Sequence, residues 1–471
     1  MAAKSNPTPS RRTTPAERPS PKNAVPITTQ GPQFCEPAPT PDPMKFTVKH
    51  GSDTEAYKIL DSQEGTLQPR PFPPVKGIDE PVVTLAQALG NKGDQIVGEI
   101  QKAGQIVFHA VGDTGNTKGP RDQEKVADKM VSDYNEGDPK AVPSFLFHLG
   151  DVVYSFGEAA YYYDQFYDSF RNYPGPIFAV PGNHDGMVAP KSSSETLQAF
   201  LDNFCTAGKP AHRTPESGGL VRTAQVQPGV YFTLEAPFVR ILGLYSNCLE
   251  DPGVISDQNG EYPYVPDVQL KFLRTALQRV QKDRFSGALL IAVHHPPYVS
   301  SGAASGVSFG RHGGSKEMLQ EIDATCSQVG VWPHAVLSGH AHNYQRFTRI
   351  KAGRETPFIV VGNGGHAVVP LTRKGNPALR VPAIEAPLSD GDDKVVFENY
   401  DDRNFGYLRI LVDIKQLRIE YHPASDGDAA KTPDDFVTVD LASRAIIHYQ
   451  IPTETGDVKP ARSGSSRRRT P

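Results

Sequence analysis

The sequence predicts an α/β sandwich, in which helices cover the outer faces of β-sheets. From Gln105 onward, short apolar runs alternate with segments whose apolar residues recur at helical spacing, and this alternation is typical of layered α/β folds. Asp, Asn and His, which are metal-binding residue types, directly follow several of the predicted strands. The composition, 38% apolar and 22% charged, is that of a globular chain able to bury a sizeable core.

The elements of this sandwich follow from residue periodicity. The predicted strands are 105–113, 144–151, 176–182, 230–236, 238–246, 288–295, 334–340, 358–365 and 407–414. Helices are predicted at 124–134, 158–172, 194–204, 268–280 and 316–326, with a weaker helical pattern at 77–105. Only a short turn containing Pro237 separates 230–236 from 238–246, so these two strands are predicted to form a hairpin.

Composition divides the chain into further segments. Residues 1–45 are crowded with Pro, Ser and Thr and are predicted to form a disordered extension, and residues 458–471 a disordered basic tail. Residues 46–104 are predicted to be an N-terminal extension that packs on the principal domain, 105–457. Within that domain, the polar and Pro-rich stretch 370–403 predicts a long surface loop.

The charge distribution argues against nucleic acid as a partner. The net charge is −4, but residues 1–45 carry six basic and three acidic side chains, and residues 458–471 carry five basic and none acidic. Residues 46–457 therefore carry −12. Such an acidic body repels a phosphate backbone and suits a protein that collects cations in a cleft. The basic tail is expected to be merely solvated.

Targeting and redox features are few. No apolar run approaches the roughly 20 residues of a membrane-spanning helix, so no transmembrane segment is predicted. The first thirty residues carry Lys and Arg with no apolar block behind them, which predicts a cytoplasmic location. The cysteines have no paired spacing, which predicts reduced and mostly buried thiols at Cys35, Cys205, Cys248 and Cys326. The oligomeric state is left open.

Candidate metal ligands follow five of the predicted strands. They are Asp113, Asp151, Asn183 with His184, His294, and His340 with His342. The carboxyl ends of strands in an α/β layer meet at one edge, so these residues are predicted to share a cleft. A carboxylate can bridge two cations roughly 3.5–4 Å apart, and imidazoles with a neutral amide suit iron, zinc or manganese better than calcium. Hydroxide forms between such cations near neutral pH and can attack phosphorus.

Five motifs at these positions resemble those of the calcineurin-like metallophosphoesterase family. They are GDTG (112–115), GDVVY (150–154), GNHD (182–185), AVHHPP (292–297) and GHAH (339–342). Most of that family carries a histidine two places after the first aspartate, whereas this chain has Gly115 there and Tyr154 three places after the second aspartate. The exchange resembles the purple acid phosphatases, in which a tyrosine phenolate binds ferric iron. The resemblance covers residues 105 to about 420.

The resemblance implies a fold and a dinuclear metal centre. The fold would be a four-layer α/β/β/α sandwich of two mixed β-sheets flanked by helices. The implied ligands are Asp113, Tyr154 and His342 for a ferric ion, Asn183, His294 and His340 for a divalent zinc, manganese or ferrous ion, and Asp151 as the bridge. Plant enzymes of this type carry a further β-sandwich domain, for which residues 46–104 are too short.

Three histidines are candidates for catalytic roles. His184 resembles the family's outer-sphere histidine, placed to hold a substrate oxygen and to protonate the leaving alkoxide. His312, in GRHGGSKE, resembles a second such histidine, displaced downstream by the insertion SSGAASGVSFG. His295 is predicted either as a third catalytic histidine or as a structural residue bonded to a loop carbonyl. Asp185 is expected to orient His184 or a metal ligand.

Four other side chains have structural interpretations. Tyr154 could pack in the core instead of binding metal, as the tyrosines of YYYDQFY are expected to do. His109 and His148 lie within predicted strands and are expected to be hydrogen-bonded core residues. Asn363, in VVGNGG, either lines the pocket or makes the turn.

Together these features predict a metal-dependent hydrolase of small phosphate monoesters. Metal-bridging hydroxide would be the nucleophile and His184 the acid. A phosphodiesterase acting on cyclic nucleotides or other diesters is an alternative, because the same motifs serve both reactions. A non-catalytic binding module that keeps the fold is another, although no ligand is missing here. Recruitment by the basic tail to an anionic partner predicts salt-sensitive binding.

Overall fold

Two mixed β-sheets lie face to face at the centre of the protein, with helices on their outer faces. The predicted four-layer α/β/β/α sandwich is thereby confirmed. The computed structural model describes residues 80–135, 137–188, 195–206, 215–217, 220, 222–302, 306–308, 312–371, 384–385, 393–424 and 432–450. The predicted extension 1–45, the basic tail 458–471 and parts of 46–104 and 370–403 lie outside these residues, and the predicted domain boundaries stay predictions.

The described strands and helices have the following bounds. The strands are β1 (Val82–Thr84), β2 (Gln105–Val111), β3 (Leu146–His148), β4 (Ile177–Ala179), β5 (Phe232–Ala236), β6 (Val239–Leu244), β7 (Ala288–Val293), β8 (Val299–Gly302), β9 (Gly306–Ser308), β10 (Ala335–Ser338), β11 (Tyr344–Lys351), β12 (Arg354–Val361), β13 (Ile384–Glu385), β14 (Lys394–Asp401), β15 (Gly406–Asp413), β16 (Gln416–Pro423), β17 (Asp435–Asp440) and β18 (Ile446–Tyr449). The α-helices are α1 (Leu85–Leu89), α2 (Gly93–Ala103), α3 (Arg121–Ser132), α4 (Asn183–Gly186), α5 (Gln198–Phe204), α6 (Val268–Lys282) and α7 (Lys316–Val329).

Each sheet contains a block of neighbouring parallel strands. The larger sheet has nine strands in the order β1-β5-β6-β7-β10-β12-β11-β14-β13, and β6, β7, β10 and β12 in it run parallel. The smaller has seven in the order β18-β17-β16-β15-β2-β3-β4, with β2, β3 and β4 parallel. Strands β5 and β6 form the predicted hairpin. Strands β8 and β9 form a separate two-stranded sheet.

Neighbouring residues of a central strand face different layers. In β7, Ala288 and Leu290 pack between the two sheets, whereas Leu289 and Ile291 belong to the core beneath the helices. Helix α6 contacts β6 and α7 on one side of the sandwich, and α3 contacts β15 on the other. A strand buried on both faces needs apolar residues at nearly every position. Such strands therefore appear in the sequence as continuous apolar runs, which allowed them to be predicted.

Two sequence-based predictions are wrong in part. The surface loop predicted at 370–403 contains β14, which pairs with β11. Buried Val395 and Phe397 alternate with more exposed neighbours, but the polar side chains around them hide this two-residue period. The single α-helix predicted at 158–172 is instead a 3₁₀ turn, Ala159–Tyr161, followed by a buried π-helix, Tyr163–Tyr167.

Other features follow or extend the sequence-based expectations. Residues 80–104 contribute β1 to the edge of the nine-stranded sheet, where it pairs with β5. Within the described ranges, no helix has the length and apolar character needed to cross a membrane. Cys205, Cys248 and Cys326 form no disulfide within the described ranges, and Cys35 lies outside them. The prediction of mostly buried thiols is wrong for Cys205 and Cys248, which are only partly buried.

Candidate metal centre

The candidate site lies at the edge of the sandwich where β2, β3 and β4 of one sheet and β7 and β10 of the other end. Asp113, Asp151 and His340 sit just beyond these strands in the left-handed backbone region, with φ of 56°, 55° and 69°. Residues other than glycine rarely adopt this strained conformation, and those that do are concentrated at functional sites. Three such residues at one sheet edge therefore indicate a functional site there.

A first cluster of donor atoms surrounds the hydroxyl of Tyr154. The Tyr154 Oη atom lies 3.0 Å from Asp113 Oδ1, 3.0 Å from Asp151 Oδ2 and 3.3 Å from His342 Nε2. His342 Nε2 is also 3.5 Å from Asp113 Oδ1. Tyr154 and Asp113 are fully buried. Two carboxylates, a phenol and an imidazole therefore converge on one point.

A second cluster surrounds the side-chain oxygen of Asn183. Asn183 Oδ1 lies 3.0 Å from His294 Nε2 and 3.1 Å from His340 Nδ1. His294 Nε2 is in turn 3.3 Å from Asp151 Oδ2, the same oxygen that lies beside Tyr154. His294 Nδ1–H donates to the Leu149 carbonyl at 2.8 Å, so Nε2 is the ring nitrogen directed at the cluster.

The dimensions of both clusters fit a bound cation. Bonds of about 2.1 Å place neighbouring ligand atoms about 3.0 Å apart in an octahedron and about 3.4 Å apart in a tetrahedron. The distances above span 3.0 to 3.5 Å. One ligand atom each from Asp151, His294 and His340 lie within 4.8 Å of one another. The structure thus brings together all seven residues predicted as metal ligands.

The presence of Gly115, where most of the family carries a histidine, has a steric explanation. A Cβ atom at position 115 would lie 3.1 Å from Cδ2 of Tyr154 and closer still to Gln165 Oε1 and the Val152 carbonyl. The space that a residue-115 side chain would need is therefore filled by the Tyr154 ring and its supports. The Tyr154 ring packs against Gly115, so the two residues depend on each other. Tyr154 is buried in the core and also lies among the donor atoms, so the two roles considered for it do not exclude each other.

A family model described as calcineurin-like phosphoesterase matches residues 106–344, a range that contains all seven predicted ligands. The chain belongs to the calcineurin-like phosphoesterase family. No curated protein matches it.

Solved structures with a similar chain path are distant in sequence. A purple acid phosphatase, PPD1, from yellow lupin (Lupinus luteus) seeds is 18% identical with a TM-score of 0.44, over 71% of this chain and 54% of that one. The chain thus spans about half the length of the lupin enzyme. PhoD is 14% identical with a TM-score of 0.44, over 75% of this chain and 73% of its own. GAP50, the anchor in the inner membrane complex of Plasmodium, is 13% identical with a TM-score of 0.42, over 69% and 86%.

Phosphoesterases of this family depend on metal, and the electrostatics of this site fit that requirement. Burial raises the pKa of the Tyr154 phenol well above its ordinary value, and the charges of Asp113 and Asp151 raise it further. Burial alone would lower the pKa of His294, but the Asp151 and Asp113 carboxylates raise it to about 9. Tyr154 and His294 therefore hold protons that a bound cation would displace.

His340 differs from His294 in its charge. Burial, followed by the charges of the surrounding histidines, holds the pKa of His340 well below its ordinary value. Its imidazole is therefore neutral, which is the form that binds a metal ion. The second cluster thus contains a donor that is ready for a cation without loss of a proton.

His184 and His312 both lie at this phosphoesterase site. The His184 Nδ1–H donates to the Ser155 carbonyl at 2.8 Å, and its Nε2 lies 4.0 Å from Asp151 Oδ2. The ring of His312 is 4.9 Å from that of His340 and 5.2 Å from that of His342. With 33% of its side chain exposed, His312 faces the mouth of the site, whereas His184 is buried.

His295 makes structural contacts through both of its ring nitrogens. Its Nε2 contacts the carbonyl oxygens of Leu249 and Glu250 at 2.9 and 3.0 Å, and its Nδ1 lies 2.7 Å from Ser246 Oγ. Both ring nitrogens are therefore engaged in holding the loop that follows β6. The structural alternative given by the sequence is the one that fits.

Further polar residues connect the loops that carry the ligands. His148 accepts a hydrogen bond from Gly150 N at Nδ1 and lies 2.9 Å from Thr114 Oγ1 at Nε2. His109 is bonded to Tyr173 and Asp133 in the core. Both histidines are hydrogen-bonded core residues, as predicted. Asn363 donates to the Asn404 carbonyl and to Tyr421 Oη, so it supports the turn.

Asp185 joins the loops in a way that the sequence did not indicate. Its carboxylate accepts from the backbone N–H groups of Val152, Val153 and Gly182, and so joins the loop of Asp151 to the loop of Asn183. Burial and the charge of Asp151 raise the pKa of Asp185 to about 7. It orients backbone rather than the ring of His184.

Three residues at the site had no signal in the sequence. The ring of His366 stacks on Tyr154 with the ring centres 3.6 Å apart and an angle of 11° between the planes. Glu250 accepts a hydrogen bond from Asn183 Nδ2, and Asp251 Oδ1 lies 3.5 Å from His340 Nε2. None of the three follows one of the strands that carry the five motifs. Of the three, only His366 stands in a recognisable sequence motif, GNGGH (362–366).

Gln165 secures the backbone of Tyr154. The Tyr154 N–H donates to Gln165 Oε1 at 2.9 Å, and Gln165 Nε2 donates to the Tyr154 carbonyl at 2.8 Å. Gln165 is 1% exposed and lies in the π-helix Tyr163–Tyr167. Such wider helical turns are frequent at functional sites.

Replacing Gln165 by alanine is expected to destabilise the protein. The change leaves a buried N–H and a buried C=O without partners, and each costs about 1–3 kcal/mol. Urea unfolding followed by circular dichroism measures the loss, with the exposed Gln278→Ala on α6 as the matched control. A midpoint for Gln165→Ala equal to that of the control would contradict the role given to these bonds.

Proposed function

We propose that the protein is a dinuclear metal-dependent hydrolase of small phosphate monoesters. Asp113, Tyr154 and His342 would hold one ion, Asn183, His294 and His340 the other, and Asp151 would bridge the two. The position of Asp151 Oδ2 carries this proposal. It lies 3.0 Å from Tyr154 Oη in one cluster and 3.3 Å from His294 Nε2 in the other.

The two clusters differ in the charge they offer. The first presents two carboxylates and a phenol, which can supply three negative charges, whereas the second presents one shared carboxylate, an amide and two imidazoles. Three anionic oxygens favour a trivalent ion, and we therefore assign ferric iron to the first cluster. Zinc, manganese or ferrous iron suits the second, because imidazole is a good ligand for all three.

Bound cations would supply Lewis acidity and lower the pKa of a coordinated water to near neutral. The residues of the chain would then position the substrate and move the proton. The His184 Nδ1–H is committed to the Ser155 carbonyl, so Nε2 faces the cluster. In the imidazolium form, Nε2 would donate its proton to the leaving oxygen. His312, at the mouth, is placed to hold a phosphate oxygen.

Metal content and a visible spectrum test the assignment of Tyr154. The purified protein is expected to contain about one iron and one divalent ion per chain and to show a broad visible band from ferric tyrosinate. In Tyr154→Phe the band is expected to disappear, because the phenolate oxygen is lost while the ring is kept. Elemental analysis and absorption spectra of both proteins measure this, with Tyr264→Phe, an exposed tyrosine, as the control.

The results of the metal analysis and the spectra separate the proposed function from its alternatives. Two bound metals without the band would leave a general metallophosphoesterase and favour the diesterase alternative, which rates on paired mono- and diester substrates would decide. Folded protein without tightly bound metal would contradict the proposal and favour a non-catalytic binding module. Loss of the band in Tyr264→Phe as well would contradict the assignment to Tyr154.

A further inference from the structure

The loop that follows β6 brings two carboxylates to the proposed divalent site. Glu250 is 3% exposed, and Asp251 is 18% exposed. His295 fixes this loop, since its Nε2 contacts the carbonyls of Leu249 and Glu250. Ser315 adds a second connection through its Oγ, which donates to the Gly253 carbonyl at 2.7 Å.

Glu250 determines which end of the Asn183 amide faces the imidazoles. Asn183 Nδ2 donates to Glu250 Oε2 at 2.9 Å, and this places Oδ1 at 3.0 Å from His294 Nε2 and 3.1 Å from His340 Nδ1. The reversed amide would direct its N–H₂ group, which has no lone pair to offer, toward a bound cation. A buried acceptor at position 250 thus keeps the donor oxygen on the metal side.

The same carboxylate also faces His312 across the mouth of the site. Glu250 Oε1 lies 3.6 Å from His312 Nε2, whereas Glu250 Oε2 accepts the hydrogen bond from Asn183. Asp251 Oδ1 accepts from Gly313 N at 3.1 Å and lies 3.5 Å from His340 Nε2. The loop therefore connects a metal-ligand amide, a metal-ligand imidazole and the segment that carries His312.

We propose that Glu250 is a positioning residue that orients Asn183 for the divalent ion and holds His312 over the site. The proposal rests on the dinuclear centre of the proposed function. It goes beyond that function because it makes divalent-ion affinity in one half of the centre depend on a residue that is not a ligand. Loss of Glu250 affects the divalent ion, while the Tyr154 cluster keeps its own ligands.

Divalent-ion binding by variants at position 250 tests the proposal. Protein treated with a mild chelator to remove the divalent ion is titrated with Mn²⁺ by calorimetry, and its iron content and visible band are recorded in parallel. Glu250→Ala is expected to weaken Mn²⁺ binding about 10- to 100-fold, the usual effect of losing a hydrogen-bond partner of a ligand, with iron and band unchanged. Glu250→Gln keeps an acceptor for Asn183 Nδ2 and is expected to bind Mn²⁺ within about threefold of the unaltered protein, since its hydrogen bond is retained.

Controls distinguish this role from general damage to the fold. Glu261→Ala removes the same charge from an exposed position farther along the chain and is expected to bind Mn²⁺ like the unaltered protein. Three outcomes would each overturn the proposal for Glu250: unaltered Mn²⁺ affinity in Glu250→Ala, equal loss of iron and Mn²⁺ in that variant, or no rescue by Glu250→Gln. None of them would contradict the proposed dinuclear centre of the unaltered protein. Failure of the unaltered protein to bind Mn²⁺ beside iron would overturn both.

Discussion

Replacing Asp151 by asparagine is expected to remove both metal ions and to lower kcat/KM at least about 10³-fold. The carboxylate lies in both clusters, and its other oxygen accepts from the His184 N–H at 2.9 Å. Asparagine keeps the size but removes the negative charge, and its amide offers one oxygen where the carboxylate offers two. Metal ions contribute several kcal/mol to such reactions, and each 1.36 kcal/mol is a tenfold change in rate.

Metal content and steady-state hydrolysis of a phosphate monoester measure the effect of Asp151→Asn. Burial by itself would raise the pKa of Asp151, but the charges of His294 and His184 hold it well below its ordinary value. The unaltered site therefore carries the charge that the variant lacks. The exposed Asp128→Asn on α3 is the matched control. Two metals per chain and a rate within tenfold of the unaltered protein would refute the bridging role.

Replacing Arg346 by methionine is expected to lower the free energy of unfolding by about 3–5 kcal/mol, because it leaves a buried carboxylate without its partner. Arg346, on β11 of one sheet, donates from Nε and Nη2 to Asp435, on β17 of the other, at 2.7 and 3.1 Å. Both side chains are 1% exposed. Tyr344 Oη also donates to this carboxylate at 2.6 Å. The pair therefore joins the two sheets within the core.

Chemical unfolding of single and double variants isolates the unpaired charge. Adding Asp435→Asn to Arg346→Met is expected to recover part of the lost stability, since no buried charge then remains without a partner. Arg274→Met, on the exposed side of α6, controls for the substitution itself. If Arg346→Met unfolds at the same denaturant concentration as Arg274→Met, the pair does not stabilise the sandwich.

The sequence alone predicted the central strands and the candidate ligands that the structure brings together. Strands buried on both faces, such as β2 and β7, are continuous apolar runs, and a metal-binding residue type stands just beyond each of them. Local order is enough for this, because the carboxyl ends of parallel strands must meet at one edge. Asp113, Asp151 and His294 were therefore recognisable from local sequence. The exchange of Gly115 and Tyr154 was visible as well, although its steric cause was not.

The tertiary structure decided which remaining polar residues serve the site. His366 reaches Tyr154 and Glu250 reaches Asn183 across large sequence separations, and no local period records such contacts. It also set the ring contacts of His295, since these depend on which carbonyls surround the ring. Strand β14 was hidden for a related reason, because its pairing with β11, rather than its own composition, makes it a strand. Spacing along the chain reports the ends of strands, whereas the orientation of a ligand depends on residues that only folding brings beside it.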